Sequence, residues 1–238
     1  MQAKDRIILA LDVDTEKEAL ALVETLYDRV GAFKVGMQLF NSVGPGIVQK
    51  INQLGGRVFV DLKFHDIPNT AAAAGRVMTR LDAFMYNVHI AGGREMMTAV
   101  VKNTAEEASR LGVNPPAVLG VTVLTSISST QLREEMKVDK RVEELVVEWA
   151  VMAQECGLSG VVASPQETAL IREACGPDFL IVTPGIRPGW AAAGDQKRIT
   201  TPREALDQGA DYMVIGRPIR QAADPREAAA RIIEELEE

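Results

Sequence analysis

Asp61-Leu62-Lys63-Phe64-His65-Asp66-Ile67-Pro68-Asn69-Thr70 continues an apolar run, Val58-Phe59-Val60, that reads as a buried strand. Period-two alternation places Phe59, Asp61 and Lys63 on one face and Val58, Val60 and Leu62 on the other. A carboxylate and an ammonium therefore leave the strand on the same side, and a second carboxylate, Asp66, follows one turn later. Opposite charges so placed can hold a lysine protonated and aim its proton. The same residues admit a blander reading. Asp66 before Ile67-Pro68 reads as a helix N-cap with proline in the first turn, and Asp61 with Lys63 as a rim ion pair of little energetic weight. The rest of the chain decides between them.

Short β-rich runs alternate with helical patterns throughout. Strands are expected over 7–11, 33–35, 58–62, 84–88, 118–123, 160–163, 180–183 and 212–215. Between them Ala19, Leu22, Val23 and Leu26, and later Val142, Leu145, Val146, Trp149 and Ala153, recur at helical spacing. Thr15-x-x-Glu18, Ser164-Pro165-Gln166-Glu167 and Thr201-Pro202-Arg203-Glu204 read as capping boxes. Strict alternation of about eight strands with about eight helices predicts an α/β fold of the (β/α)8 TIM-barrel kind, a parallel barrel with outer helices. No linker breaks the composition, so one domain over 1–238 is expected. A doubly wound open sheet is the alternative, but it favours a glycine-rich turn after its first strand. Here that strand ends in Asp12-Val13-Asp14.

Composition narrows the function. With 26 Lys and Arg against 33 Asp and Glu, the net charge of −7 excludes a broad basic surface for nucleic acid. An anionic ligand must then be held by local cations. Cys156 and Cys175 lack metal-ligand spacing and read as reduced thiols of a cytoplasmic protein. The apolar run 7–11 is too short for a signal-peptide core. The uncharged stretch 115–132 carries Pro, Gly, Ser and Thr, reading as strand plus turn and not as a membrane span. No membrane association is expected.

A barrel places its chemistry at the C-terminal ends of the strands. The polar residues there are Asp12, Lys34, Asp61, Lys63, Asn87, His89, Thr122, Thr125, Arg187 and Arg217. Asp12 shares a face with Ala10, and Lys34 with Gly36, opposite the bulky apolar residues of their strands. Charges directed into one barrel mouth must pair, because an isolated buried charge is very costly. An alternating array of Lys and Asp satisfies that need. Val214-Ile215-Gly216-Arg217-Pro218-Ile219 ends a strand and opens a helix, a common phosphate site in barrels. The glycine- and alanine-rich segment 185–198 reads as a lid that closes over the phosphate, with a merely disordered loop as the alternative.

The Asp61–Thr70 string resembles the signature of the orotidine 5′-monophosphate decarboxylase family, in its bacterial single-function form. So do Phe33-Lys34-Val35-Gly36-Met37, Asn87-Val88-His89, Leu124-Thr125-Ser126, Val182-Thr183-Pro184-Gly185-Ile186-Arg187 and Ile215-Gly216-Arg217. The resemblance implies a homodimeric barrel that converts orotidine 5′-monophosphate to uridine 5′-monophosphate and CO2 in pyrimidine biosynthesis, with no metal or cofactor. It implies Lys63 as proton donor to C6 of the pyrimidine, Asp61 beside the departing carboxylate, and Lys34 and Asp12 at the ribose hydroxyls. Thr125 would recognise the base. Gln196, Gly216 and Arg217 would grip the phosphate, with Arg187 at the lid's base and Pro184 beside it on the substrate. Asp66, Ile67 and Thr70 would reach into the neighbouring subunit's site, Asp66 completing a catalytic set with Lys63, Asp61 and Lys34.

Two rivals remain at this point. One is a magnesium-dependent sugar-phosphate decarboxylase or aldolase of the same barrel superfamily, which carries a Glu metal ligand where this chain has Lys34. The other is a non-catalytic barrel that only binds a nucleotide.

Overall fold

A computed structural model of the chain describes residues 1–191 and 200–237. Its strands are β1 (Ile7–Ala10), β2 (Ala32–Gly36), β3 (Val58–Phe64), β4 (Met85–His89), β5 (Ala117–Val121), β6 (Gly160–Val162), β7 (Leu180–Pro184) and β8 (Tyr212–Ile215). Each pairs in parallel with its sequence neighbours, and β8 closes onto β1 with Ile8 opposite Val214. Helices pack outside, as the alternation predicts. β3 and β7 run past their expected ends, and β5 stops short of its own.

Alternation sorts the side chains into two cores. Ile8, Ala10, Ala32, Phe59, Met85, Leu119, Val182, Tyr212 and Val214 fill the barrel. Ile7, Leu9, Phe33, Val35, Val58 and Val60 point outward and meet helical residues such as Val23, Leu26 and Ile51. Full burial of one such side chain is worth roughly 1.5–3 kcal/mol, so a one-residue slip, which exchanges the faces, is strongly disfavoured. The interior packing ends where Lys34 and Asp61 begin, which leaves the charges at the barrel's C-terminal mouth.

The expected helix starts fare unequally. Thr201 forms a complete capping box: Glu204 N–H donates to Thr201 Oγ1 at 3.2 Å, and Thr201 N–H to Glu204 Oε2 at 2.8 Å. Thr15 accepts from Glu18 N–H at 3.3 Å, but its hydroxyl, not its backbone N–H, donates to the Glu18 carboxylate. Ser164 instead caps a 3-10 turn, Pro165–Glu167, because proline is followed at once by a tighter turn and the α-helix starts only at Thr168.

The helices Pro68–Arg80 and Gly93–Leu111 pack closely side by side. Gly75 permits this, since a Cβ there would lie 3.0 Å from Thr104 Oγ1 of the neighbouring helix. Glu107 binds Arg80 across the seam at 2.5 Å and Arg110 on its own helix at 2.8 Å. Bonds from Arg110 and then Arg80 pull its carboxyl down to about 2.

Candidate active site

Four charges line up across the mouth from β1 to β3. Lys34 Nζ lies 3.1 Å from Asp12 Oδ1 and 3.5 Å from Asp61 Oδ2, and Lys63 Nζ lies 2.6 Å from Asp61 Oδ1. The side chains of Lys34 and Asp61 are only 12% and 13% exposed, whereas Asp12 is 46% exposed. Burial pushes the Asp61 carboxyl up, but Lys34, Lys63 and the hydrogen bonds from Lys63 and Asn87 outweigh it and hold the group below the usual carboxylate range. Gly36 makes room for the array: a Cβ there would lie 2.9 Å from Lys34 Nζ.

Simple alternation does not carry through to Lys63. Val60 pairs with Tyr86 and Phe64 with Val88, so β3 advances farther than β4 between these pairs and bulges. Lys63 sits in the bulge at φ 52°, a left-handed conformation that a residue with a Cβ adopts at a cost of about 1–2 kcal/mol. Its N–H donates to the side-chain Oδ1 of Asn87 at 2.8 Å. The amide nitrogen of Asn87 donates in turn to Asp61 Oδ1 at 2.7 Å.

Two cavities meet over this array. One, about 190 Å³, is lined by Lys34, Phe59, Asp61, Lys63, Thr125 and Pro184, among others. The second, about 210 Å³, is lined by Asp12, Lys34, Arg187, Gly216, Arg217 and Arg220 with their neighbours. Lys34, Pro184 and Val214 belong to both walls. The cleft thus has one lobe with a paired Lys–Asp floor and another rimmed by three arginines, suited to a ligand with an anionic group at one end. A larger cavity, about 400 Å³, opens at the opposite end of the barrel beside Lys4, Tyr27 and Arg57, away from the array.

Asp12, Lys34, Asp61, Lys63, Thr125, Pro184, Arg187, Gly216 and Arg217 are therefore brought together. Asp66, Ile67 and Thr70 are exposed and line neither lobe. The N-cap expectation for Asp66 is corrected: the cap position of Pro68–Arg80 is Ile67, without a side-chain cap, because the preceding residue turns before the helix begins. Asp66 Oδ1 instead accepts from the Ile67 N–H at 2.7 Å. Gln196 and segment 192–198 of the expected lid lie outside the described residues. Thr122 faces away from the cleft, its hydroxyl donating to Val162 O at 3.1 Å. His89 lies tilted against His65 with ring centroids 5.3 Å apart; burial, then His65 and Lys63, hold it below the usual imidazole range.

Two residues without an assigned role belong with the site. Asn87 was visible as a polar residue at a strand end and within the Asn87-Val88-His89 string, with no role given to it. Arg220 follows Arg217 at helical spacing, a signal that puts both on one face. Its Nε is buried without a hydrogen-bond partner among the described residues. No three His, Cys, Asp or Glu side chains among the described residues form a set that could hold a metal ion.

Comparison with known proteins places these features in context. Residues 5–232 match the family described as orotidine 5′-phosphate decarboxylase / HUMPS. The chain is 68% identical to the orotidine 5′-phosphate decarboxylase of Syntrophomonas wolfei, over 100% of both chains. It is 52% identical to that of Moorella thermoacetica, covering 100% of this chain and 94% of the other. The crystal structure of orotidine 5′-phosphate decarboxylase from Lactobacillus acidophilus superposes with a TM-score of 0.87 at 36% identity, covering 98% of this chain and 99% of that one.

Proposed function

The chain belongs to the orotidine 5′-phosphate decarboxylase / HUMPS family, and from that premise we infer that it decarboxylates orotidine 5′-monophosphate to uridine 5′-monophosphate. The observation that carries this reading is the Asp12–Lys34–Asp61–Lys63 array on the floor of one lobe, next to an arginine-rimmed second lobe.

The chemistry explains why such a floor is needed. Breaking the bond from C6 to the carboxylate releases CO2 and leaves the electron pair in an sp² orbital orthogonal to the ring π system. No resonance sink receives it. The protein must then stabilise the charge electrostatically and supply a proton. Lys63 does both: its ammonium faces the developing charge, and one Nζ proton passes to C6. Lys63 is left as the neutral amine until solvent reprotonates it. Asp61 and Asn87 hold the group that moves the proton, while Lys34 balances Asp61 throughout. The phosphate binds in the other lobe at Arg187, Gly216 and Arg217, with Gln196 from the lid. Binding energy gained there orders the closed site around C6. Thr125 and Pro184 border the base.

A magnesium-dependent reaction fits this site less well. The space between Asp12 and Asp61, where a divalent ion would find two carboxylates, is filled by the Lys34 ammonium. Metal-free turnover follows. An ultraviolet assay with orotidine 5′-monophosphate in excess chelator tests it: full turnover is expected. Activity that disappears on chelation and returns with Mg²⁺ would favour the rival, and no turnover in either condition would leave a binding barrel.

We further propose a homodimer with shared sites. Asp66, Ile67 and Thr70 are exposed beside their own cleft but line neither lobe, and Ile67 presents 66% of its surface to solvent. Among the described residues, Lys63 pairs with one carboxylate of its own chain, Asp61. A second carboxylate from a neighbouring Asp66 would complete the pairing. No helix among the described residues is long and apolar enough to cross a membrane. The free thiols Cys156 and Cys175 favour action in the reducing cytoplasm.

A further inference from the structure

Asn87 projects from β4 into the barrel and is 0% exposed. A buried amide must satisfy its polar atoms, and this one does so on two neighbours with opposite needs. The bulge in β3 takes the Lys63 N–H out of the strand ladder. Asn87 Oδ1 receives that N–H at 2.8 Å, while Asn87 Nδ2 donates to Asp61 Oδ1 at 2.7 Å. That same Asp61 oxygen receives Lys63 Nζ at 2.6 Å. One side chain thus ties the backbone of the lysine to the carboxylate that its own ammonium binds. Both ends of Lys63 are fixed through Asn87, one directly and one through Asp61.

We propose that Asn87 is a positioning residue for proton delivery: it holds Lys63 in its left-handed conformation and turns Asp61 so that the ammonium is set against C6. It lines neither cavity itself and lies behind two residues that do, so it acts through Lys63 and Asp61. The inference rests on the decarboxylase reading for its kinetic consequence, but not for its geometric one. An amide is the group required. A hydrocarbon of the same size leaves the Lys63 N–H and one Asp61 lone pair unsatisfied. A carboxylate accepts from Lys63 but repels Asp61. A protonated carboxyl does what the amide does, accepting through C=O and donating through O–H.

The last point supplies the test. Asn87→Leu and Asn87→Asp are compared with the wild type across the pH range, on protein whose fold is verified by circular dichroism. Asn87→Leu should lower kcat by about 100-fold, the loss expected from a misplacement of about 1 Å, while KM for the nucleotide changes less than about 3-fold. Should it not fold, Asn87→Ser, whose hydroxyl reaches one partner at most, takes its place. Asn87→Asp should be as poor near neutral pH, and its deficit should shrink by about 10-fold or more on acidification as the new carboxyl takes up a proton. The charged groups in contact with this position are Asp61 and Lys63 on β3; beyond them stand Lys34 on β2 and Asp12 on the loop after β1, in line with Asp61, and His89 on β4 with His65 on the loop after β3, whose charges couple to Lys63. All are common to wild type and variant, so the deficit relative to wild type isolates position 87. Retained kcat, a loss carried by KM, or a deficit that does not change with pH would overturn the proposal. Crystal structures of the unliganded variants add a readout independent of activity: Lys63 should leave its left-handed conformation in Asn87→Leu. Failure of the wild type to turn over substrate would refute the decarboxylase reading alone.

Discussion

Lys34→Met removes the inner cation of the array while preserving most of the side chain's length. At an effective dielectric near 20, unit charges separated by the 3.5 Å found between Lys34 and Asp61 attract by about 5 kcal/mol before desolvation is counted. Removing one member of a buried pair costs roughly 3–5 kcal/mol, because the other is left uncompensated. The lower end applies here. Asp61 keeps Lys63 and Asn87, and the bond to Asp12 is screened because that carboxylate is 46% exposed. A loss of about 3 kcal/mol in a chain of this size should lower Tm by roughly 6–12 °C near neutral pH. The pH dependence carries a second signature. In the wild type the Asp61 carboxyl lies below its ordinary value of 3.8, so its stabilising contribution is present above that pH and lost as pH falls through the lower folded value. Without Lys34, its leading attractive partner, Asp61 takes up a proton at higher pH than in the wild type. The stability deficit is therefore largest near neutrality and narrows on acidification. Thermal unfolding of both proteins at about pH 7 and about pH 3, above and below the ordinary carboxyl value, measures both effects. A Tm difference below about 2 °C, or one equal at the two pH values, would refute the claim that Lys34 stabilises the ionised Asp61.

Lys63→Ala should abolish turnover yet still bind uridine 5′-monophosphate, as calorimetry would show; residual decarboxylation near the wild-type rate would remove Lys63 from its role. Mixing inactive Lys63→Ala and Asp66→Asn homodimers should restore about a quarter of wild-type activity, since random exchange gives about half hybrids with one intact site each. Asn can still accept the Ile67 N–H, so no recovery after verified exchange would rule out the shared site. Arg217→Ala should reduce kcat/KM for the whole nucleotide and leave a phosphate-free analogue little changed; equal losses would place Arg217 on the base or the fold. Glu107→Gln should reduce stability at neutral pH but not in strong acid. The Glu107 carboxyl lies at about 2 against an ordinary 4.5, so its contribution is complete above the latter and lost as pH falls toward the former. Denaturant midpoints that differ equally at both pH values would contradict this.

The barrel was legible because its strands repeat one instruction, apolar residues outward and a different set inward, at a period no helix shares. Phe59 inside and Val58 and Val60 outside follow from that rule. Lys34, Asp61 and Arg217 were legible as candidates because charge at a strand's end has few structural reasons to exist. What alternation could not convey is the bulge between Val60 and Phe64. Left-handed backbone is signalled by glycine or asparagine, and Lys63 gives no such signal. The role of Asn87 escaped for a related reason: its bond from the Lys63 N–H exists only once the bulge has freed that group. The cap offered as the blander alternative for Asp66 fails: Asp-x-Pro suits that role in sequence, whereas the cap position falls one residue later at Ile67.

The left-handed conformation of Lys63 means that the fold and the chemistry disagree about position 63. Glycine would adopt φ 52° without penalty, and asparagine with little. Asp61 would still have Lys34 and Asn87 to satisfy it. In a population that obtained its pyrimidines from the medium, selection for a folded, long-lived chain alone would favour replacement of this lysine. The lysine to which we assign proton delivery would be among the first to drift, leaving a sound barrel whose loss of function is written at a single codon.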